Sequence, residues 1–195
     1  PGGPVAYREL VKLHTTMEIT PEEVHRIGLA NVERIAGEMA KIRASLGFNG
    51  TQVEFKASLK GNPKLFPKTP EEIGERLMSH VARIEPVVDR FFGRRPKAPY
   101  GVKRLDPQLE PGQTFGYYQV PTATDPKGYY NYNGSNLPDR SLLNAAALIY
   151  HELIPGHHFQ IALQQEQPDT PLLMKVMGFS AYSEGWGLYA EQLAD

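Results

Sequence analysis

The first long periodic stretch opens at Thr20-Pro21-Glu22-Glu23. A Thr N-cap, a Pro at the first helical position and a Glu at the third together satisfy the free amides of a helix start. Apolar residues then recur at Val24, Ile27, Val32, Ile35, Met39, Ile42 and Leu46. That three-to-four spacing predicts a helix with one buried stripe, ended by Gly47 and the Phe48-Asn49-Gly50 turn. The same start returns at Thr69-Pro70-Glu71-Glu72, followed by Ile73, Leu77, Val81 and Ile84, with Pro86 limiting the helix. Lys60-Gly61-Asn62-Pro63 and Phe66-Pro67 read as loop.

Beyond residue 93 the pattern changes. Arg94-Arg95-Pro96-Lys97-Ala98-Pro99 is a proline-broken basic linker, and three aromatic or β-branched runs follow: Tyr100 to Leu105, Thr114 to Val120 and Gly128 to Tyr132. Pro, Gly and Asp separate them, so they predict three short strands. Asp139 or Ser141 then opens an apolar helix through Leu148 and Ile149. Leu172 to Met177 and Phe179 to Ala194 predict two more helices. Helices, a small antiparallel sheet and helices again make an α+β chain, mostly helical. We read residues 1–195 as a single domain, 1–92 helical and 93–195 carrying the sheet and the last helices. Both ends read as cut, which predicts an internal piece of a longer protein.

Composition narrows the chemistry. The 195 residues include no cysteine, which excludes disulfides, thiolate metal sites and a cysteine nucleophile. A formal net charge of −1 supplies no basic field for nucleic acid. No stretch approaches the roughly 18 apolar residues of a membrane span. Cytoplasm and export are both compatible with this composition, and oligomeric state is left open.

Three of the six histidines fall in His151-Glu152-Leu153-Ile154-Pro155-Gly156-His157-His158. His14, His25 and His80 are scattered on amphipathic segments. His151-Glu152 ends a strongly apolar helix, where an unpaired titrating pair would cost several kcal/mol. The zinc-protease pattern H-E-x-x-H would place its second histidine where Pro155 stands. On a straight helix His157 lies about 240° round and 9 Å up from His151, and His158 about 10.5 Å up. Neither can share a zinc ion, whose two nitrogens sit within about 3–3.5 Å of each other. Pro155 removes a helical hydrogen bond and Gly156 can take positive φ, so the helix breaks or bulges after Ile154. A two-residue bulge would return His157 to the ligand position; His158 is the alternative.

A catalytic site needs a third protein ligand. Glu184 is the candidate, on a helical face shared with Ala181, Gly185 and Leu188. Gly185 and Gly187 cost about 1 kcal/mol each in a helix, so something must require them. Glu191 lies on the face of Glu184 and is placed to orient a histidine. Tyr182 or Tyr189 could donate to an oxyanion.

At these residues, with Ser183-Glu184-Gly185-Trp186 and Leu188-Tyr189-Ala190-Glu191, the sequence resembles the bacterial domain-of-unknown-function 885 family. That family is grouped by similarity with gluzincin-like zinc metallopeptidases. Its members are several hundred residues long, and the resemblance covers their central-to-C-terminal portion. It implies a zincin-like fold with a metal-binding helix pair and one zinc ion on His151, His157 and Glu184. Glu152 would be the general base acting on a peptide or small amide. The Gly128–Tyr132 run could be an edge strand that pairs an extended substrate. A non-haem iron enzyme with two His and one carboxylate, or an inactive metal-binding module or fragment, are the alternatives.

Overall fold

The computed structural model describes Gly2 to Ala194; Pro1 and Asp195, the ends of the expected 1–195 range, lie outside the described residues. The described residues form two compact units, residues 2–63 with 179–181, and residues 64–178 with 182–194.

The first unit holds α1 (Gly3–Thr15), α2 (Pro21–Ser45) and α3 (Gln52–Lys60). Thr20 and Glu23 form the expected capping box at the start of α2. A second box, which the periodicity did not announce, opens α3: Thr51 caps the amide of Glu54, whose carboxylate accepts from Thr51 N at 2.7 Å. The expected buried stripe of α2 is not buried. Its seven apolar residues from Val24 to Leu46 are 36–66% exposed. Periodicity specifies which face is apolar, whereas burial needs a covering element. Within this unit the neighbouring helices have only 13 and 9 residues, against 25 in α2.

The second unit, from residue 64, opens with α4 (Pro70–Ile84), whose stripe belongs to the same core as the sheet. Thr69 caps α4, and the chain tightens into a 3-10 turn over Glu85–Arg90 at Pro86. Three strands follow, β1 (Tyr100–Arg104), β2 (Gly116–Gln119) and β3 (Gly128–Tyr132), then α5 (Ala145–Glu152), α6 (His157–Glu166), α7 (Leu172–Val176) and α8 (Ser180–Ala194). The chain is mostly helical with one three-stranded sheet, an α+β arrangement.

The sheet is mixed rather than antiparallel. Its order is β1-β3-β2, with β1 parallel to β3 and β2 antiparallel to it. The connection from β1 to β3 runs through β2 and is long enough to return the chain in the same direction. Gly128–Tyr132 is therefore the central strand and not an edge. It is buried at every residue except the partly buried Tyr129, and β2 takes the edge position. Tyr130 and Tyr132 pack with Leu77, Val81, Ile149, Leu153 and Phe159 in one core that joins the sheet to α4, α5 and α6.

A polar knot fixes the sheet end that leads into β2. Glu110, only 3% exposed, accepts from Arg104 Nε at 2.8 Å and from Gly134 N at 2.8 Å. Asn133 Nδ2 donates to the carbonyls of Glu110 and Gln113, at 2.7 and 2.9 Å. The Arg104 guanidinium, helped by the Gly134 amide, holds the Glu110 carboxyl below its usual range. The stability it contributes is present above that range and is lost as pH falls through the depressed value. Glu110→Gln is expected to cost about 1–3 kcal/mol in denaturant unfolding at neutral pH. It should also reduce the loss of stability below pH 4.5, the ordinary value of this carboxyl.

Candidate metal centre

Helix α5 ends at Glu152, and residues 153–156 leave helical geometry before α6 starts at His157. The break thus begins two residues before the expected point after Ile154. Leu153 has φ −108° and ψ −95°, and the Ile154–Pro155 peptide is cis. Gly156 has φ −81°, so its role is not the expected positive φ but proximity. A β-carbon there would lie 1.9 Å from the carbonyl oxygen of His151. Trp186 Nε1 donates to Pro155 O at 2.8 Å and pins the broken segment to α8.

The break brings the His151 and His157 rings to 4.6 Å between centroids, at 83°. Helix α8 supplies the carboxylate: Glu184 Oε2 is 3.2 Å from His151 Nε2, and Glu184 Oε1 is 3.6 Å from His157 Nε2. One donor atom from each of the three residues falls within 4.8 Å of the others, so this group could hold a metal ion. Three helices contribute, rather than a pair. Glu191 Oε1 lies 2.7 Å from His151 Nδ1, on the opposite edge of the ring from Nε2, which is directed at Glu184. Gly187 explains its own cost, since a β-carbon there would lie 2.5 Å from the His151 ring; Gly185 meets open space. The face of α8 toward His151 is therefore Glu184, Gly187 and Glu191. The expected face with Gly185 and Leu188 is not the one, and Leu188 is 58% exposed.

His158 has no nitrogen to spare. It is fully buried, Nε2 donates to Ala98 O at 3.0 Å, and Nδ1 accepts from the Tyr118 hydroxyl at 2.9 Å. Gly128 makes room for this pair, because a β-carbon there would lie 2.5 Å from His158 Nδ1. His158 thus ties α6 to the sheet while His157 faces Glu184.

An open cleft of about 370 Å³ is lined by His151, Glu152, His157 and Glu184 together with Gly116, Tyr117 and Tyr118 of β2. Tyr182 lies elsewhere, in a second groove with Trp186, and Tyr189 packs on Trp186 with 52% of its surface exposed. Neither reaches the cleft, because the helical turn that aims Glu184 at His151 rotates them away. The cleft-lining tyrosines, Tyr117 and Tyr118, went unrecognised in the sequence. Their signal was the position of β2, which only sheet order reveals. Gly116 is needed beside them: φ is +147°, and a β-carbon would lie 2.2 Å from Asn131 O.

The whole chain, residues 1–195, matches the family model described as a bacterial protein of unknown function (DUF885). The chain belongs to this family. It is also similar to a solved structure described as "the putative lipoprotein from Colwellia psychrerythraea", at 31% identity and a TM-score of 0.92. The match covers 100% of this chain and 34% of that one, so the DUF885 chain spans about a third of that protein's length. No curated protein matches it. Among the described residues, no helix is long and apolar enough to cross a membrane.

Burial raises the Glu152 carboxyl to about 7, the charge of Glu184 adds to the rise, and His151 opposes it. Burial also lowers the His157 imidazole, whose Nδ1 is buried without a hydrogen-bond partner among the described residues. Because the folded-state value of Glu152 is raised, its contribution to metal-free stability is fully present below pH 4.5 and lost as pH rises through about 7. Thermal unfolding of chelator-treated protein should show this decline. Glu152→Gln should remove it, and parallel curves for the two proteins would contradict the assignment.

Proposed function

We propose that the DUF885 chain carries one zinc ion on His151, His157 and Glu184, and that it is a hydrolase of peptide or amide bonds with a zincin-like site. One observation carries the reading: three donors of the zinc type converge within 4.8 Å, and a fourth group, the Glu152 carboxyl, lines the same cleft at a raised pKa. Two imidazoles and one carboxylate form a usual catalytic zinc set, which keeps a position open for water.

Bound zinc would acidify a water molecule and polarise the substrate carbonyl. With a cation on Nε2, Glu191 would accept a hydrogen bond from Nδ1, 2.7 Å away, and so orient the His151 ring as a ligand. Glu152 removes a proton from the attacking water and delivers it to the leaving nitrogen as the C–N bond breaks. A value near 7 suits both halves of that transfer. A nearby cation would draw it lower and favour the base form. Strand β2 pairs with β3 on one side and borders the cleft, so an extended peptide could add along its other edge through main-chain hydrogen bonds.

The same donor set in a facial arrangement also suits ferrous iron. The presence of Glu152 in the cleft favours hydrolysis, which uses a carboxylate base where oxygen chemistry does not. The inactive-module alternative is separated by Glu152→Gln, which should retain zinc and lose about 10²–10⁴ in turnover.

Metal analysis of chelated and reconstituted protein should find one zinc per chain, and none in His151→Ala. Glu191→Ala should weaken zinc about 10–100-fold in chelator competition. Stoichiometric zinc in His151→Ala would contradict the assignment.

A further inference from the structure

A second groove runs along α6 and α8 on a different face from the metal site. On α6 the metal cleft takes His157 and Ile161, whereas the second groove takes Leu163 and Phe159. Phe92, Phe159, Leu163, Met174 and Trp186 make an apolar bed. Phe92 lies 4.6 Å from the Phe159 ring and 6.4 Å from the Trp186 ring. The Pro155 carbonyl fixes the indole from its nitrogen edge. At about 730 Å³ the groove is twice as large as the metal cleft and within the usual 300–1,000 Å³ of small-ligand sites.

Its charge is one-sided. Arg94 lines the groove, is exposed, and forms no hydrogen bond or ion pair among the described residues. Its neighbour Arg95, by contrast, donates to Asp89 and to the Glu85 carbonyl. No Asp or Glu lines the groove. A guanidinium with free donors beside a cluster of tilted rings recognises a carboxylate carried on an aromatic body.

We propose that this groove binds an arylalkyl carboxylate, its ring on the half-buried Phe92, Leu163 and Trp186 and its carboxylate on Arg94. A peptide ending in an aromatic residue and a free aromatic acid both present this chemistry. The site is separate from the metal triad and does not depend on the hydrolase reading.

Trp186 is the one tryptophan of the chain, so its emission reports on the groove directly. Chelator-treated protein is titrated with N-acetyl-L-phenylalanine, with the corresponding primary amide, and with a short peptide ending in phenylalanine. The acid should give a saturable change and bind about tenfold tighter than the amide, equivalent to about 1.4 kcal/mol. Arg94→Ala should erase that preference, and Phe92→Ala should weaken both ligands. Tighter binding of the peptide assigns the site to chain ends; equal binding assigns it to small acids. Absence of a saturable change, equal affinity for acid and amide, or unaltered discrimination in Arg94→Ala would overturn the proposal. Because metal is absent throughout, zinc binding can fail or succeed independently.

Discussion

The imidazole of His151 lies against the backbone of Gly187, and the rest of the site follows from that approach. Three residues before Gly187, Glu184 reaches His151 Nε2; four residues after it, Glu191 reaches Nδ1. Spacings of three and four place all three on one helical face, so a single face of α8 holds both edges and one side of the ring. Any side chain at position 187 would push the imidazole away from both carboxylates. The energetic penalty of an interior glycine is thereby exchanged for a close helix-to-ring contact.

The second constraint is the interruption between α5 and α6. It lets two histidines six residues apart approach to 4.6 Å between centroids, which a continuous helix forbids. Gly156 and Pro155 serve it differently: the glycine admits the His151 carbonyl, and the proline carbonyl receives the Trp186 indole. Glu152, Glu184 and Glu191 are thus gathered around two imidazoles. The repulsion of Glu184 on Glu152 is part of why the latter carboxyl is raised. A cation at the convergence of the donors would relieve that repulsion, whereas burial alone would increase it.

Local chemistry was legible in the sequence where a few adjacent residues carry it. Thr20 with Glu23 marked a helix start that the structure reproduces, and the three strands lie within their expected runs. His151, His157 and Glu184 were singled out by residue type and by the conflict between their spacing and a straight helix. Properties that depend on distant partners were not legible. Sheet order put Gly128–Tyr132 in the centre and β2, with Tyr117 and Tyr118, on the cleft, while the turn of α8 that aims Glu184 at His151 carries Tyr182 and Tyr189 away from it. The stripe of α2 was readable as an apolar face, but its cover was not. The role of His158 rests on Tyr118 and Ala98, 40 and 60 residues away, which no local pattern encodes.

The central claim is that His151, His157 and Glu184 hold one metal ion, with His158 excluded from it. A crystal structure of zinc-reconstituted protein, with anomalous data collected on both sides of the zinc absorption edge, tests it directly. A single peak bounded by His151 Nε2, His157 and Glu184 is expected, with metal–nitrogen distances of about 2.0–2.1 Å. His158 should still be bonded to Tyr118 and the Ala98 carbonyl. A peak ligated by His158, or no peak between the three donors at stoichiometric zinc, would contradict it.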